Sequence, residues 1–553
     1  MKKLFFSGLF YVSFMLINTV FAFEEEQIVI VVPSYNTREW AERNIASILL
    51  QDYKNFTVLY YVDCSNDGSF ELIKKFLEPY DVDHRVTLIY NEIRKGALAN
   101  HWDAVHRCKD NCIIVHLDGD DWFADRTVLK RINQEYADPN VWVTYGQYVE
   151  YPHNTLGHCK PVAQNIINEN LWRYLPLPLP TTHLRTFRAC LFKQILLQDL
   201  IDNGAFLPTA GDIAFFWPIL EMAGKHVRFI KDILYVYNTA NDLNDYKVRL
   251  QQQMYYFNKI RNKKRYEPLN SLPIKDDEHI AKADLLVFSY NRPMQLHCFL
   301  ESLFAYVKNL GTITVLARAD NQGYADAYEE VQKIFPSVVF VEQSKTSPQE
   351  DFKKLTLQIV EAGKYDHIIF AVDDIIVKDF CDLNDCIDAL EKTHAYGFYL
   401  RLGMNITHCY MANKSHNVPS LIPFGNQMLA WSFKDGAYDW RYPNSVDMTL
   451  YKKETIIEAL QQLVYSNPSN LEGNWFIPEF VDYEKVGNCY QSSKIINIPL
   501  NVVQTERNNT NMHCETSYLL DLFNDGLKID YKPFHAMPNR APHGEFQVSY
   551  IKR

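Results

Sequence analysis

The chain has 553 residues, 47% of them hydrophobic and 14% aromatic, a balance that excludes wholesale disorder and fibrous repeats and leaves room for two large domains. Its 56 basic and 67 acidic side chains give a net charge of −11 with no long Lys/Arg run, which argues against nucleic acid as a partner. The 11 cysteines lie scattered from Cys64 to Cys514, so a scaffold built on a disulfide framework is excluded as well.

The N-terminus opens with Lys2 and Lys3, followed by an uncharged apolar run from Leu4 to Phe23 with Val20-Phe21-Ala22 near its end. Residues 1–22 therefore read as a secretory signal peptide or as an uncleaved membrane anchor. Either places the rest of the chain in the secretory pathway or outside the cell, with membrane association only through this segment. An N-terminal extension on a cytosolic protein is the remaining alternative.

The fully apolar run Ile28–Val32 predicts a buried parallel strand, and Pro33–Asn36 a loop. Trp40, Ala41, Ile45, Ile48 and Leu49 recur at helical spacing. Strands follow at Phe56–Val62 and Val86–Tyr90, a helix at Ala97–Arg107, and a fourth strand at Cys112–Leu117. This alternation predicts a doubly wound α/β sheet, whose ligands sit beyond the carboxyl ends of the strands. The residues there are Asp63 and the turn Asp118-Gly119-Asp120-Asp121. His106, Cys108, Cys112 and His116 invite a zinc reading, but Cys112 and His116 fall on one face of a buried strand, and packed core residues are the better reading.

A shift of 255 residues (289 − 34) lays Ser34-Tyr35-Asn36 on Ser289-Tyr290-Asn291, and the strand before Asp118 on Ile368–Val372 before Asp373. Two anchors at one offset predict a duplicated domain. The expected organisation is a first domain over 27–255, a polar linker over 256–282 and a second, divergent domain over 283–553.

Asp118, Asp120 and Asp121 are close enough to repel one another, which disfavours full ionisation without a neutralising cation. Hard divalent ions such as Mg²⁺ or Mn²⁺ suit such oxygen ligands, often completed by phosphates. Residues 28–245 resemble a family-two glycosyltransferase domain of the GT-A type. The resemblance is carried by Pro33-Ser34-Tyr35-Asn36, Val62-Asp63-Cys64-Ser65-Asn66-Asp67-Gly68-Ser69, Asn91–Gly96 with Ala99-Asn100, and Leu117–Asp121. It implies two GT-A-like domains in tandem and transfer of a sugar from a nucleotide-diphosphate donor to a glycan, lipid or protein acceptor, inverting and dependent on Mn²⁺ or Mg²⁺. It implies donor contacts from Pro33, Tyr35, Asp63, Lys95, Asp118 and Gly119, and metal ligation by Asp118, Asp120 and Asp121. The family usually has two acidic residues at the second turn, and here Val62 occupies the first position.

For the base that takes the acceptor proton, Asp212 is the candidate, in Gly211-Asp212 before an apolar helical run; a helix N-cap is the competing reading. Glu221 is the reserve, and His183 a residue that faces the diphosphate or is simply structural. In the second copy, Asp373 and Asp374 are the metal candidates, Asp320 the counterpart of Asp63, and Trp431, Trp440, Tyr442 and Asp447 an acceptor cleft or a core. Two other classes remain open: an exported glycan-binding scaffold, and a sugar-nucleotide pyrophosphorylase, against which the first loop lacks a basic, Gly-rich sequence.

Overall fold

The computed structural model describes residues 25–275, 280–425, 427–503 and 511–553. The signal or anchor expected over 1–22 lies outside the described residues. Among those described, no helix is long and apolar enough to cross a membrane.

The strand Ile28–Ser34 is buried along its whole length, because helices cover both faces of the sheet it centres. Its side chains alternate. Ile28, Ile30 and Val32 pack with Ala41, Ile45 and Ile48 of the helix Arg38–Leu49, whereas Val29 and Val31 join the opposite core. The sheet runs Val86–Asn91, Phe56–Asp63, Ile28–Ser34, Ile113–His116, Thr186–Arg188, Val143–Tyr151, Val227–Asn238 and Trp122–Phe123, with a short strand, Thr155–Leu156, paired to Val143–Tyr151. The first four strands are parallel, so Ser34, Asp63, Asn91 and the Asp118 turn all emerge at one edge.

A second sheet of nine strands runs Val339–Glu342, Leu310–Arg318, Ala283–Tyr290, His367–Val372, Thr449–Lys452, Phe398–Tyr399, Val486–Tyr490, Met428–Ser432 and Ile422–Phe424. Its first seven strands repeat the order and the relative directions of the first sheet. The opening pair keeps the sequence offset, with Ser34 opposite Val62 and Ser289 opposite Ala317. The carboxylate strand does not. Val31 pairs with His116, but Leu286 (286 − 31 = 255) pairs with Phe370 (370 − 116 = 254). The strand has slipped by one residue, so Asp373 stands where Gly119 does and Asp374 where Asp120 does. The alignment of Asp118 with Asp373 is corrected accordingly; Val372 takes the place of Asp118.

The two halves rest on each other. Trp102 meets Phe424 edge to face, with ring centroids 5.9 Å apart, and the His394 Nε2 lies 2.8 Å from the Lys193 carbonyl oxygen. The stretch expected as a polar linker is held rather than free. Helix Leu250–Arg261 buries Phe257 and Ile260, and beyond it the Tyr266 hydroxyl donates to Asp199 (2.6 Å) and the Leu269 amide to the Met222 carbonyl (2.8 Å). Composition showed the charge of this segment but not its fastening points.

Those points converge on Glu221. Both oxygens of this fully buried carboxylate accept from the Arg173 guanidinium, at 2.6 and 2.8 Å, and one also accepts from the Tyr266 amide at 3.0 Å. The reserve base is thus sealed away from solvent. Removing one partner of a buried ion pair costs about 3–5 kcal/mol. Glu221→Ala is therefore expected to lower stability by that order in denaturant unfolding, and an unchanged midpoint would contradict the assignment.

Candidate active site

The strand ends of the first sheet open into a cleft of about 570 Å³. Pro33, Tyr35, Asp63, Lys95, Asp118, Asp120, Asp121 and Asp212, all singled out by sequence, line it together. Gly119 does not. Its amide donates to the Pro33 carbonyl (3.0 Å), and a Cβ there would lie 2.6 Å from that of Ser34, so glycine is what lets the turn press against the opening strand.

The three aspartates are held in three different ways. Asp118 has His116 Nε2 at 3.3 Å, and His116 Nδ1 lies 2.5 Å from His101 Nε2. His101 Nδ1 is in turn 3.0 Å from the Ala97 carbonyl. A carbonyl only accepts, so His101 carries its proton on Nδ1 and receives that of His116 on Nε2. Burial, reinforced by His116, lowers His101 to about 3, which keeps it neutral. Burial opposes the charge on Asp118, yet His116 more than offsets it and holds the carboxyl below the usual range. Asp120 accepts from the Asn241 amide at 2.7 Å, and burial together with Asp118 pushes it up to about 6.

Asp121 differs from the expectation that it ligates metal. Its oxygens accept from the Tyr235 hydroxyl (2.5 Å) and the Asn238 amide (2.7 Å), which tie it to the strand Val227–Asn238. Burial raises it well above the carboxylate range. The Asn44 side chain, on the first helix, donates to the carbonyls of Asp118 (3.0 Å) and Asp121 (2.7 Å), so the whole turn is braced from below. Two carboxylates, those of Asp118 and Asp120, are left to the cleft. Among the described residues no group of three or more His, Cys, Asp or Glu is arranged to hold a metal.

Asp63 is buried and accepts from the Asn91 side chain (2.8 Å) and from the amides of Lys95 (3.0 Å) and Gly96 (2.7 Å). It fastens the loop that presents Arg94 and Lys95. Arg94 lies over the Tyr35 ring, 3.6 Å from its centroid. Arg94, Lys95 and Arg249 all line the cleft and make no ion pair among the described residues. Asp212 sits in the first turn of helix Gly211–Ala223, but the N-cap is Ala210 and no side chain caps it. The carboxylate of Asp212 instead accepts from Arg185 at 2.7 Å while remaining 39% exposed. His183 is stacked between Tyr235 and Tyr237, and burial lowers it well below its ordinary value, so it forms an uncharged wall.

The suspected zinc group has no shared centre. His106 bonds to the Trp102 carbonyl, Cys108 to that of Ala104, and Cys112 to Gln27. Trp431 and Trp440 are fully buried against each other, core rather than acceptor cleft. Asp373 and Asp374, expected as a second metal pair, face Arg292 at 2.9 and 3.4 Å. Sequence reasoning missed His101, Asn241, Arg94 and Arg185 as functional residues. Arg94 stands inside a segment already singled out and Arg185 two residues beyond His183, whereas His101 and Asn241 carry no local signal.

A doubly wound α/β unit of the GT-A-like kind, with a carboxylate pair at its strand ends, is the class that this fold and cleft define. Residues 29–196 match the Glycosyl transferase family 2 model. The chain is 27% identical over 198 residues to the bifunctional glycosyltransferase pgtA of Dictyostelium discoideum, covering 32% of this chain and 25% of that protein. It is 33% identical over 120 residues to the putative colanic acid biosynthesis glycosyl transferase WcaA of Escherichia coli strain K12, covering 22% and 42%. The mannosyltransferase PcManGT from Pyrobaculum calidifontis, solved in complex with GDP-Man and Mn²⁺, superposes with a TM-score of 0.32 at 18% identity, covering 43% of this chain and 66% of that one. The chain spans less than half the length of these two curated relatives.

Two measurements check the geometry. Gly119→Ala forces Ser34 and the turn apart and is expected to cost about 1–3 kcal/mol in denaturant unfolding; Ser34→Gly in the same chain is expected to recover part of the loss. Between pH ~4 and ~6 the folded protein holds a proton on Asp120 that the unfolded chain has released. The contribution of this carboxyl to stability therefore falls as pH rises through that window. In metal-free protein Asp120→Asn is expected to melt higher than the parent at pH 7, with the gap closing towards pH 4; equal midpoints at both values would refute it.

Proposed function

We propose that the first unit, residues 27–255, moves a glycosyl group from a nucleotide-diphosphate sugar to an acceptor hydroxyl with inversion at the transferred carbon. The observation that carries this reading is the single cleft in which Asp118 and Asp120, the basic Arg94, Lys95 and Arg249, and the exposed carboxylate of Asp212 all meet. The names of the two curated relatives described above, both glycosyltransferases, agree with it.

Arg94, Lys95 and Arg249, without carboxylate partners among the described residues, are placed to attract the donor diphosphate. Asp118 and Asp120 suit Mn²⁺ or Mg²⁺: they are hard oxygen donors, and one or two carboxylates completed by substrate phosphates are a usual ligand set for Mg²⁺. Their mutual repulsion, expressed in the raised Asp120, is what a cation there would relieve. When bound, it would offset charge developing on the departing diphosphate. Asp212, aimed by Arg185, takes the proton from the acceptor hydroxyl as its oxygen attacks. Attack on the face away from the diphosphate inverts the centre. The acceptor is a glycan, lipid or protein hydroxyl. Residues 283–553 form a second, divergent unit of the same fold, and residues 1–22 direct export or anchor the chain.

The test is donor hydrolysis and transfer by purified protein over a panel of UDP- and GDP-sugars with Mn²⁺. Asp120→Ala is expected to abolish stimulation by Mn²⁺. Asp212→Asn is expected to slow transfer by about 10²–10⁴, the usual contribution of a positioned base, while donor binding persists. Full activity in either variant would overturn the role assigned to that residue.

A further inference from the structure

The second sheet ends at a cleft of its own, of about 450 Å³, within the size range of small-molecule sites. Its chemistry is the reverse of the first. The slip of the carboxylate strand puts Val372 where Asp118 stands, so the first member of the carboxylate pair is lost. In its place a fixed cation has been supplied. Arg292, at the position of Thr37 (292 − 37 = 255), is buried and donates to Asp373 (2.9 Å), Asp374 (3.4 Å) and the Asn501 side-chain oxygen (2.7 Å), as well as to the Asn501 carbonyl.

Every basic side chain that lines this cleft among the described residues is already committed. Arg292 is taken by the two aspartates. Arg318 pairs with Asp320 at 3.3 Å and lies over the Tyr290 ring. His543 Nε2 sits 3.5 Å from Asp447. Against them the cleft carries Asp373, Asp374, Asp447 and Glu472, so a diphosphate entering it meets net repulsion.

Unused hydrogen-bonding capacity points into the same place. Asn497 is 1% exposed and Asn501 6%, both line the cleft, and among the described residues the side-chain oxygen of the first, the amide nitrogen of the second and one oxygen of Asp374 have no partner. Buried polar atoms left unpaired are costly, and a ligand carrying hydroxyls would satisfy these three. Tyr290 and Tyr410 offer aromatic surface beside them. We propose that this second cleft binds an uncharged saccharide, without metal, and not a nucleotide diphosphate. The proposal stands independently of the activity proposed for the first unit.

The test uses the full chain in EDTA and saturation-transfer difference NMR with methyl β-glucoside, N-acetylglucosamine, methyl α-mannoside and UDP as separate probes. At least one saccharide is expected to bind, and at least tenfold more weakly in Tyr290→Ala and Asp447→Asn but unchanged in Lys95→Ala and Asp212→Asn. Tyr290 lies at the rim, so its variant keeps the fold, which an unchanged melting midpoint verifies. Three results would each overturn the proposal: no saccharide signal from any probe, a signal lost only in the first-cleft variants, or a UDP signal lost in Tyr290→Ala.

Discussion

Three aspartates within four residues at the end of one strand, Asp121 buried and the other two half-buried, cannot all stay ionised without compensation. Much of the first unit is arranged around that constraint. A histidine pair stands behind Asp118, an asparagine amide holds Asp120, and a tyrosine hydroxyl with a backbone amide engages both oxygens of Asp121. The repulsion is thereby concentrated on one pair. Because Asn44 and Gly119 fix the backbone of the turn, the pair cannot relax by moving apart. Charge that cannot move is charge that a ligand can be built to satisfy.

The second unit inherits the same scaffold and resolves the same strain internally. Asn36 and Asn291 both adopt a left-handed backbone, with φ of 50° and 52°, and each ties its loop to the neighbouring strand end. The scaffold is kept while the chemistry is exchanged. A one-residue slip sends side chains to the opposite face of a strand, so a small register change removes a carboxylate that no nearby substitution would have marked. An arginine in the loop then completes the neutralisation.

The opening strands and helices were legible because their apolar runs are short, β-branched and punctuated by Gly, Asn and Asp. Observed strand boundaries differ from the predicted ones by one or two residues, as at Ile28–Ser34 and Ile113–His116. The cleft was legible too, since Asp118, Asp120 and Asp212 fall at strand and helix ends. What stayed hidden depends on pairs distant in the chain. His101 reaches His116 only because its helix packs under the sheet, and Asn241 reaches Asp120 across 121 positions. Asp121 looked like a ligand because spacing cannot tell which oxygens a neighbouring strand has claimed. For Trp431 and Trp440 the sequence left cleft and core both open, because aromatic richness does not report burial.

The fastening of residues 262–275 to the first unit has a consequence for where this molecule can be divided. Arg173 donates to the carbonyls of Ile260 and Lys263, and Glu221, to which it is paired, receives the Tyr266 amide, so the strap completes a polar cluster inside the first core. Cutting the chain at the compositional boundary near residue 255 would expose a guanidinium and leave a buried carboxylate short of a donor. The contacts of the first half therefore extend to Lys275, whose amide still bonds to Asp110 while its ammonium reaches Glu391 of the second half. One residue thus marks both the seam between the halves and the last stitch of the first.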